Sequence, residues 1–170
     1  DIEGFRHAVR ITFTAQEILV GNADYPTEAI GANTRRFRQL GLGYANLGAM
    51  LMALGAPYDS DEGRAWAGSI TALMTGEAYR TSARTAERMG PYEGYADNRD
   101  HQLRVLRQHR DALGELSTLP EARALNEAAA EAWNEAIELA DRVGVRNAQA
   151  TVLAPTGTIS FMMDCDTTGI

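Results

Sequence analysis

Ala148-Gln-Ala-Thr-Val-Leu-Ala154 has the β-branched, apolar character of a buried strand, and the one other extended candidate is Leu40-Gly-Leu-Gly-Tyr44. Elsewhere the apolar residues recur at helical spacing. One or two strands do not make a stable sheet by themselves. The chain is therefore expected to fold either as an all-helical domain with an extended tail, or as a piece of an α/β sheet whose other strands lie outside its 170 residues.

The helical spacing predicts five stretches. Ile2, Phe5, Val9 and Phe13 share one face of a first helix that Gly21-Asn22 can end, and Tyr25-Pro26 marks a turn. Leu47, Met50, Leu51 and Leu54 predict a buried helix up to Gly55. Asp59-Ser-Asp-Glu62 offers a cap residue with Glu three positions later, so a long helix carrying Trp66, Ile70, Leu73 and Met74 should run to Gly90-Pro91. Gly68 and Gly76 count slightly against it. Tyr92-Glu-Gly-Tyr95 reads as a loop, and Asp97 as the cap of a helix bearing Leu103, Leu106 and Leu113. Pro120 suits the first turn of a last helix, in which Ala122, Leu125, Ala129, Trp133, Ala136 and Ala140 form a narrow face until Gly144. Close helix packing is the consequence.

Composition removes several classes of function. With 45% hydrophobic residues the chain can bury a core of single-domain size. Its net charge is −7 and all 16 basic residues are arginine, a poor surface for a long polyanion, so nucleic acid is not an expected partner. Arg35-Arg36-Phe-Arg38 is the tightest basic cluster and reads as a solvated or salt-bridged face. No apolar run is long enough to span a bilayer and the first residues lack a signal-peptide pattern, so no membrane association and a cytoplasmic location are expected. Cys165 stands alone, which fits a reducing compartment. Both ends look cut, the first inside a helix and the last with no closing element.

The candidate chemistry lies at Pro155-Thr-Gly-Thr-Ile-Ser160, between the strand and apolar Phe161-Met-Met163. Gly157 lets backbone approach a ligand, Thr156, Thr158 and Ser160 offer hydroxyls, and a following helix would aim its first amides the same way. Such a nest suits a phosphate. It is not a Walker A loop, which needs a lysine. On spacing alone an ordinary turn with a Thr or Ser cap is the favoured reading. The histidines, His7, His101 and His109, read as surface residues and suggest no metal site; Cys165 between Asp164 and Asp166 reads as structural; Glu62, Glu77 and Glu87 read as solvated helix charges.

Read together, Thr34-Arg-Arg-Phe-Arg-Gln-Leu-Gly-Leu-Gly-Tyr-Ala-Asn-Leu-Gly48, Met74-Thr-Gly-Glu-Ala-Tyr79, Arg146-Asn-Ala-Gln149, Ala154-Pro-Thr-Gly-Thr-Ile-Ser160 and Asp164-Cys-Asp-Thr-Thr-Gly-Ile170 resemble, in order and spacing, the catalytic chain of ribonucleotide reductases. The likeness runs over essentially the whole chain and is closest to the adenosylcobalamin-dependent class. It implies an α/β fold, here a mainly helical fragment of the family's ten-stranded α/β barrel, with residues near Leu40–Leu42 and Ala150–Leu153 as barrel strands. Residues 1–170 would then be part of one barrel domain, with the radical-bearing finger loop and the remaining strands elsewhere.

The resemblance further implies a ribonucleoside di- or triphosphate substrate, a thioredoxin-type reductant, adenosylcobalamin in the full enzyme and a homodimer. The substrate's phosphates would be held by Pro155, Thr156, Gly157, Thr158, Ile159 and Ser160, with Ile159 acting through its backbone amide. In the family a thiyl radical removes the ribose 3′ hydrogen, the 2′ hydroxyl leaves as water, and a cysteine pair supplies electrons. Neither the Asn-Pro-Cys type motif of the radical cysteine nor the redox pair is found here, and Cys165 matches none of these positions, so no catalytic residue is expected in this chain. Two alternatives stand beside this reading: the iron-dependent class, whose radical comes from a partner subunit, and a non-catalytic helical interaction domain.

Overall fold

The computed structural model describes residues 1–116 and 119–170. Two long helical periodicities in the sequence become its central pair of helices. These are the helix Asp61–Met89 and the helix Arg123–Val143, labelled below in chain order with their neighbours: α1 (Ile2–Asn22), α2 (Glu28–Phe37), α3 (Leu47–Leu54), α4 (Asp61–Met89), α5 (Tyr95–Asp111), α6 (Arg123–Val143) and α7 (Gly157–Met162). Short 3-10 turns at Ala112–Glu115 and Pro120–Ala122 flank the link between α5 and α6.

The small residues of α6 explain why it packs so closely on α4. Ala129, Ala132, Ala136 and Ala140 are fully buried, and Trp133 reaches across to donate its indole N–H to the Ala72 carbonyl at 3.1 Å. Gly76 is the seat for that indole: a Cβ there would lie 2.8 Å from Trp133 Cδ1. The glycine that counted against the helix is thus where its partner approaches, and close packing outweighs its low propensity. On the other side α1 contributes Val9 and Phe13 to the core, and α5 packs Leu103 and Leu106 towards α6.

Several local expectations are corrected. The cap of α4 is Ser60, whose Oγ accepts from the Gly63 amide at 3.0 Å; Asp59 instead accepts from Arg64. Asp97 lies in the first turn of α5, whose N-cap is Gly94, and Tyr95 opens that helix where a loop was expected. The Arg35–Arg38 region is the end of an unforeseen helix, α2, capped by Thr27. Glu77 is not a solvated charge: it is fully buried, bonded to Arg6, Arg10 and Arg80.

The expected strands are reduced to one parallel bridge, Leu42 to Thr151, among the described residues. Leu42 donates to the Ala150 carbonyl at 3.0 Å and accepts from the Val152 amide at 2.9 Å, and Leu40 donates to Gln149 at 2.9 Å. Among the described residues the chain is therefore mostly helical, with two extended segments side by side and no strand. This is the one bridge among the described residues, and Gly41 and Gly43 supply no side chains for cross-strand packing beside it. The parallel sense is as expected for segments joined by a long helical crossover.

Candidate functional site

The two extended segments enter their bridge from a buried polar clasp. Arg38, in the left-handed conformation at φ 48° and ψ 47°, donates through Nε to Glu17 Oε1 at 2.7 Å. Arg146 donates to the same oxygen at 2.9 Å, and Asn147 Nδ2 donates to Glu17 Oε2 at 2.6 Å. Asn147 also reaches the Arg38 carbonyl at 2.9 Å, while Ser82 of α4 donates to its Oδ1 at 2.8 Å and accepts from its backbone amide at 3.0 Å. Both carboxylate oxygens and both ends of the amide are engaged, the pairing that burial of polar groups requires, so that loss of any one partner would be costly. The clasp ties α1, α4 and the entries to both segments, two residues ahead of Leu40 and of Gln149.

The segments leave the bridge towards the residues singled out above. Thr156 takes the left-handed conformation, φ 52° and ψ 27°, and starts α7 with no side-chain cap. Pro155, Gly157, Thr158 and Ile159 are exposed, whereas Ser160 is buried. The hydroxyls divide accordingly. Thr156 Oγ1 accepts from the Gly169 amide at 2.6 Å and from the Ser160 hydroxyl at 2.8 Å, so these two hydroxyls are engaged in holding the turn together. Thr158 keeps an exposed hydroxyl. The amides of Gly157, Thr158 and Ile159 occupy the first turn of α7, where a helix has no acceptors of its own. The backbone at the loop thus presents donors, and the side-chain hydroxyl that can join them is that of Thr158.

The other candidates stay apart from this turn. His7, His101 and His109 are exposed, His109 stacking on Trp133 with ring centroids 5.4 Å apart. Cys165 is half-buried and free. Among the described residues no three His, Cys, Asp or Glu side chains come together to hold a metal. Nor is any of their helices long and apolar enough to cross a membrane. Tyr44, two residues beyond the bridge, shares a hydrogen bond with Thr71 at 2.9 Å, and burial raises its phenol above the ordinary range.

A family model described as "Ribonucleotide reductase, barrel domain" matches residues 1–170. The chain belongs to this ribonucleotide reductase family. It is 56% identical over 170 residues to a vitamin B12-dependent ribonucleotide reductase of Rhodopirellula baltica, covering all of this chain and 16% of that protein. A relative of the same name in Streptantibioticus cattleyicolor is 56% identical over 176 residues, covering all of this chain and 28% of that protein. A more distant relative in Mycobacterium tuberculosis, a vitamin B12-dependent ribonucleoside-diphosphate reductase, is 29% identical over 138 residues, which is 81% of this chain and 14% of that protein. The chain therefore spans less than a third of the length of these ribonucleotide reductases.

Membership in the ribonucleotide reductase barrel family displaces the reading as an unrelated helical interaction domain. It leaves unexplained by motif alone the residues that hold the candidate loop in place. Glu17 and Asn147 are 130 positions apart and Asn46 and Thr167 are 121 apart, so neither pair carries a spacing signal.

Proposed function

We propose that this chain is the substrate-phosphate part of the barrel in an adenosylcobalamin-dependent ribonucleotide reductase, which converts ribonucleotides to deoxyribonucleotides. The observation that carries the reading is the turn at Thr156–Ile159, a left-handed residue followed by exposed first-turn amides at the end of an extended segment. Gly157, Thr158 and Ile159 offer backbone N–H groups to a phosphate, with the Thr158 hydroxyl beside them and Pro155 shaping the approach. Thr156 and Ser160 serve the same loop from behind, through the hydrogen bond between them.

Phosphates lie far from the bond that is broken in the ribose. Their binding energy serves to orient and enclose the reacting sugar, so the loop contributes positioning and no proton transfer of its own. The substrate is a ribonucleoside di- or triphosphate. The radical and redox cysteines, the finger loop and the remaining barrel strands are supplied by the rest of the enzyme, as are the sites for a thioredoxin-type reductant and a homodimer partner, in the cytoplasm. When bound, adenosylcobalamin supplies the radical that starts the chemistry. The described residues assemble no metal-binding cluster of their own, and no role in holding the cofactor is assigned to this chain.

Two measurements on the full-length enzyme test the reading. Ribonucleotide reduction is expected to require added adenosylcobalamin; equal turnover without it rejects the class. Thr158→Val is expected to raise KM for the ribonucleotide about tenfold or more, the effect of one hydrogen bond to a charged group. A KM at the wild-type value rejects the phosphate role.

A further inference from the structure

We propose that Asn46 and Thr167 are positioning residues for the phosphate loop, acting on it through the segment that returns after α7. The inference rests on the phosphate reading of Thr156–Ile159 and adds residues that the motif does not contain.

Asn46 precedes α3 and has a left-handed backbone, φ 72°, a conformation asparagine tolerates better than most residues. An asparagine there normally caps its own helix. This one does not. Its Oδ1 instead accepts from the Thr167 amide at 3.0 Å and from the Thr167 hydroxyl at 3.3 Å. Thr167 returns the cap: its Oγ1 accepts from the Ala49 amide at 3.2 Å, in the first turn of α3. The cap of α3 has thus been exchanged across 121 residues, and the return segment is fastened to the helix in the process.

The fastening continues to the loop. The Asn46 amide donates to the Gly169 carbonyl at 3.0 Å, and the Gly169 amide donates to Thr156 Oγ1 at 2.6 Å. Two glycines make the approach possible. A Cβ on Gly48 would lie 3.1 Å from Thr167 Cγ2, and Gly169 is buried at φ +56° with its missing Cβ 3.3 Å from the Pro155 carbonyl. Beyond Gly169, the Tyr58 hydroxyl donates to the Ile170 carbonyl at 2.6 Å, a second tie. Thr156 itself occupies a sparsely populated backbone region, which persists when the surroundings over-determine it. Asn46 and Thr167 supply that surrounding without sharing a hydrogen bond with Gly157, Thr158 or Ile159. Their effect on substrate therefore runs through the geometry of Thr156, by keeping the first-turn amides aimed at one point.

Thr167→Val in the full-length enzyme keeps the shape against Gly48 and removes both hydroxyl hydrogen bonds. It is expected to raise KM for the ribonucleotide about tenfold while kcat changes by less than about threefold, because a misaimed loop weakens the hold on phosphate. Thr167→Ser restores the hydroxyl and is expected to return KM to within about twofold of wild type. Asn46→Gly keeps the left-handed backbone but loses the acceptor, and should reproduce the KM rise; it serves as the second variant where Thr167→Val does not fold. A wild-type KM in both Thr167→Val and Asn46→Gly overturns the proposal, as does a loss in kcat at constant KM or a failure of serine to rescue. Thr158→Val separates the two readings: if it raises KM and Thr167→Val does not, the positioning role falls and the phosphate loop stands, whereas a wild-type KM in Thr158→Val removes both.

Discussion

Glu77→Ala in the full-length enzyme is expected to lower the free energy of opening of α4 by about 3–5 kcal/mol, the effect of leaving buried charges without their counter-ion. Glu77 is fully buried and takes Arg80 at 2.5 Å, Arg6 at 3.2 Å and Arg10 at 3.4 Å. Arg6 and Arg80 are themselves buried, so removal of the carboxylate strands two guanidinium groups inside the α1–α4–α6 contact. Their remaining partners are Glu131 for both, Glu3 for Arg6 and Glu135 for Arg80, and these face solvent more openly. Burial lowers the Arg6 pKa, but its bonds to Glu131 and Glu77 outweigh that and hold it above the ordinary value. The bond from Arg6 lowers the Glu131 carboxyl in turn. Glu131 has a side chain 61% exposed, and Glu131→Ala should cost no more than about 1 kcal/mol. Native-state hydrogen exchange of α4 amides reads the difference, with about a hundredfold or greater acceleration for Glu77→Ala and little for Glu131→Ala. Equal, small effects would show that Glu77 does not hold this contact.

That network also marks where sequence reasoning stops. Helical spacing placed α1, α3, α4 and α6 because each has an apolar face whose period is local, and Gly55, Gly90 and Gly144, all at positive φ, end three of them as glycine should. Glu77 looked solvated because its fate depends on Arg6 and Arg10, 71 and 67 residues away, meeting it across α1. The same holds for the loop. The Pro155–Ser160 motif stood out by composition, but the left-handed backbone of Thr156 carried no signal, and the helix expected after the motif begins within it, at Gly157. Which hydroxyls face inward was not legible, since Thr156 is turned by an amide at Gly169 and Ser160 follows Thr156. Ala148–Ala154 reads as a strand in the sequence, but only Thr151 enters a bridge, with Leu42, because a strand exists through its hydrogen-bonded neighbours and the Leu40–Leu42 segment is the one that pairs with it among the described residues.

Gly43→Ala is expected to displace the segment that carries the loop, raising KM for the ribonucleotide by at least about tenfold in the full-length enzyme, and the reason is a contact with backbone. A Cβ at Gly43 would fall 2.2 Å from the Val152 carbonyl oxygen and 3.4 Å from its carbon. Val152 lies three residues before Pro155, and its amide donates to Leu42 at 2.9 Å. A methyl group at Gly43 therefore forces the extended segments apart at their one bridge, a backbone shift of the kind that costs about 1–3 kcal/mol or more. Gly41 offers the comparison. Its Cβ would lie 2.7 Å from Val152 Cγ1, a side-chain atom, so Val152→Ala should relieve Gly41→Ala and leave Gly43→Ala as damaging as before. Gly114, whose Cβ would meet nothing within 4 Å, is the neutral control. Rescue of Gly43→Ala by Val152→Ala, or a Gly43→Ala enzyme that behaves like Gly114→Ala, would mean that the bridge does not set the position of the loop. The opposite pattern ties the absent side chain of one glycine to substrate binding through a single parallel contact, Leu42 to Thr151, and so to the geometry in which Thr156 begins its turn.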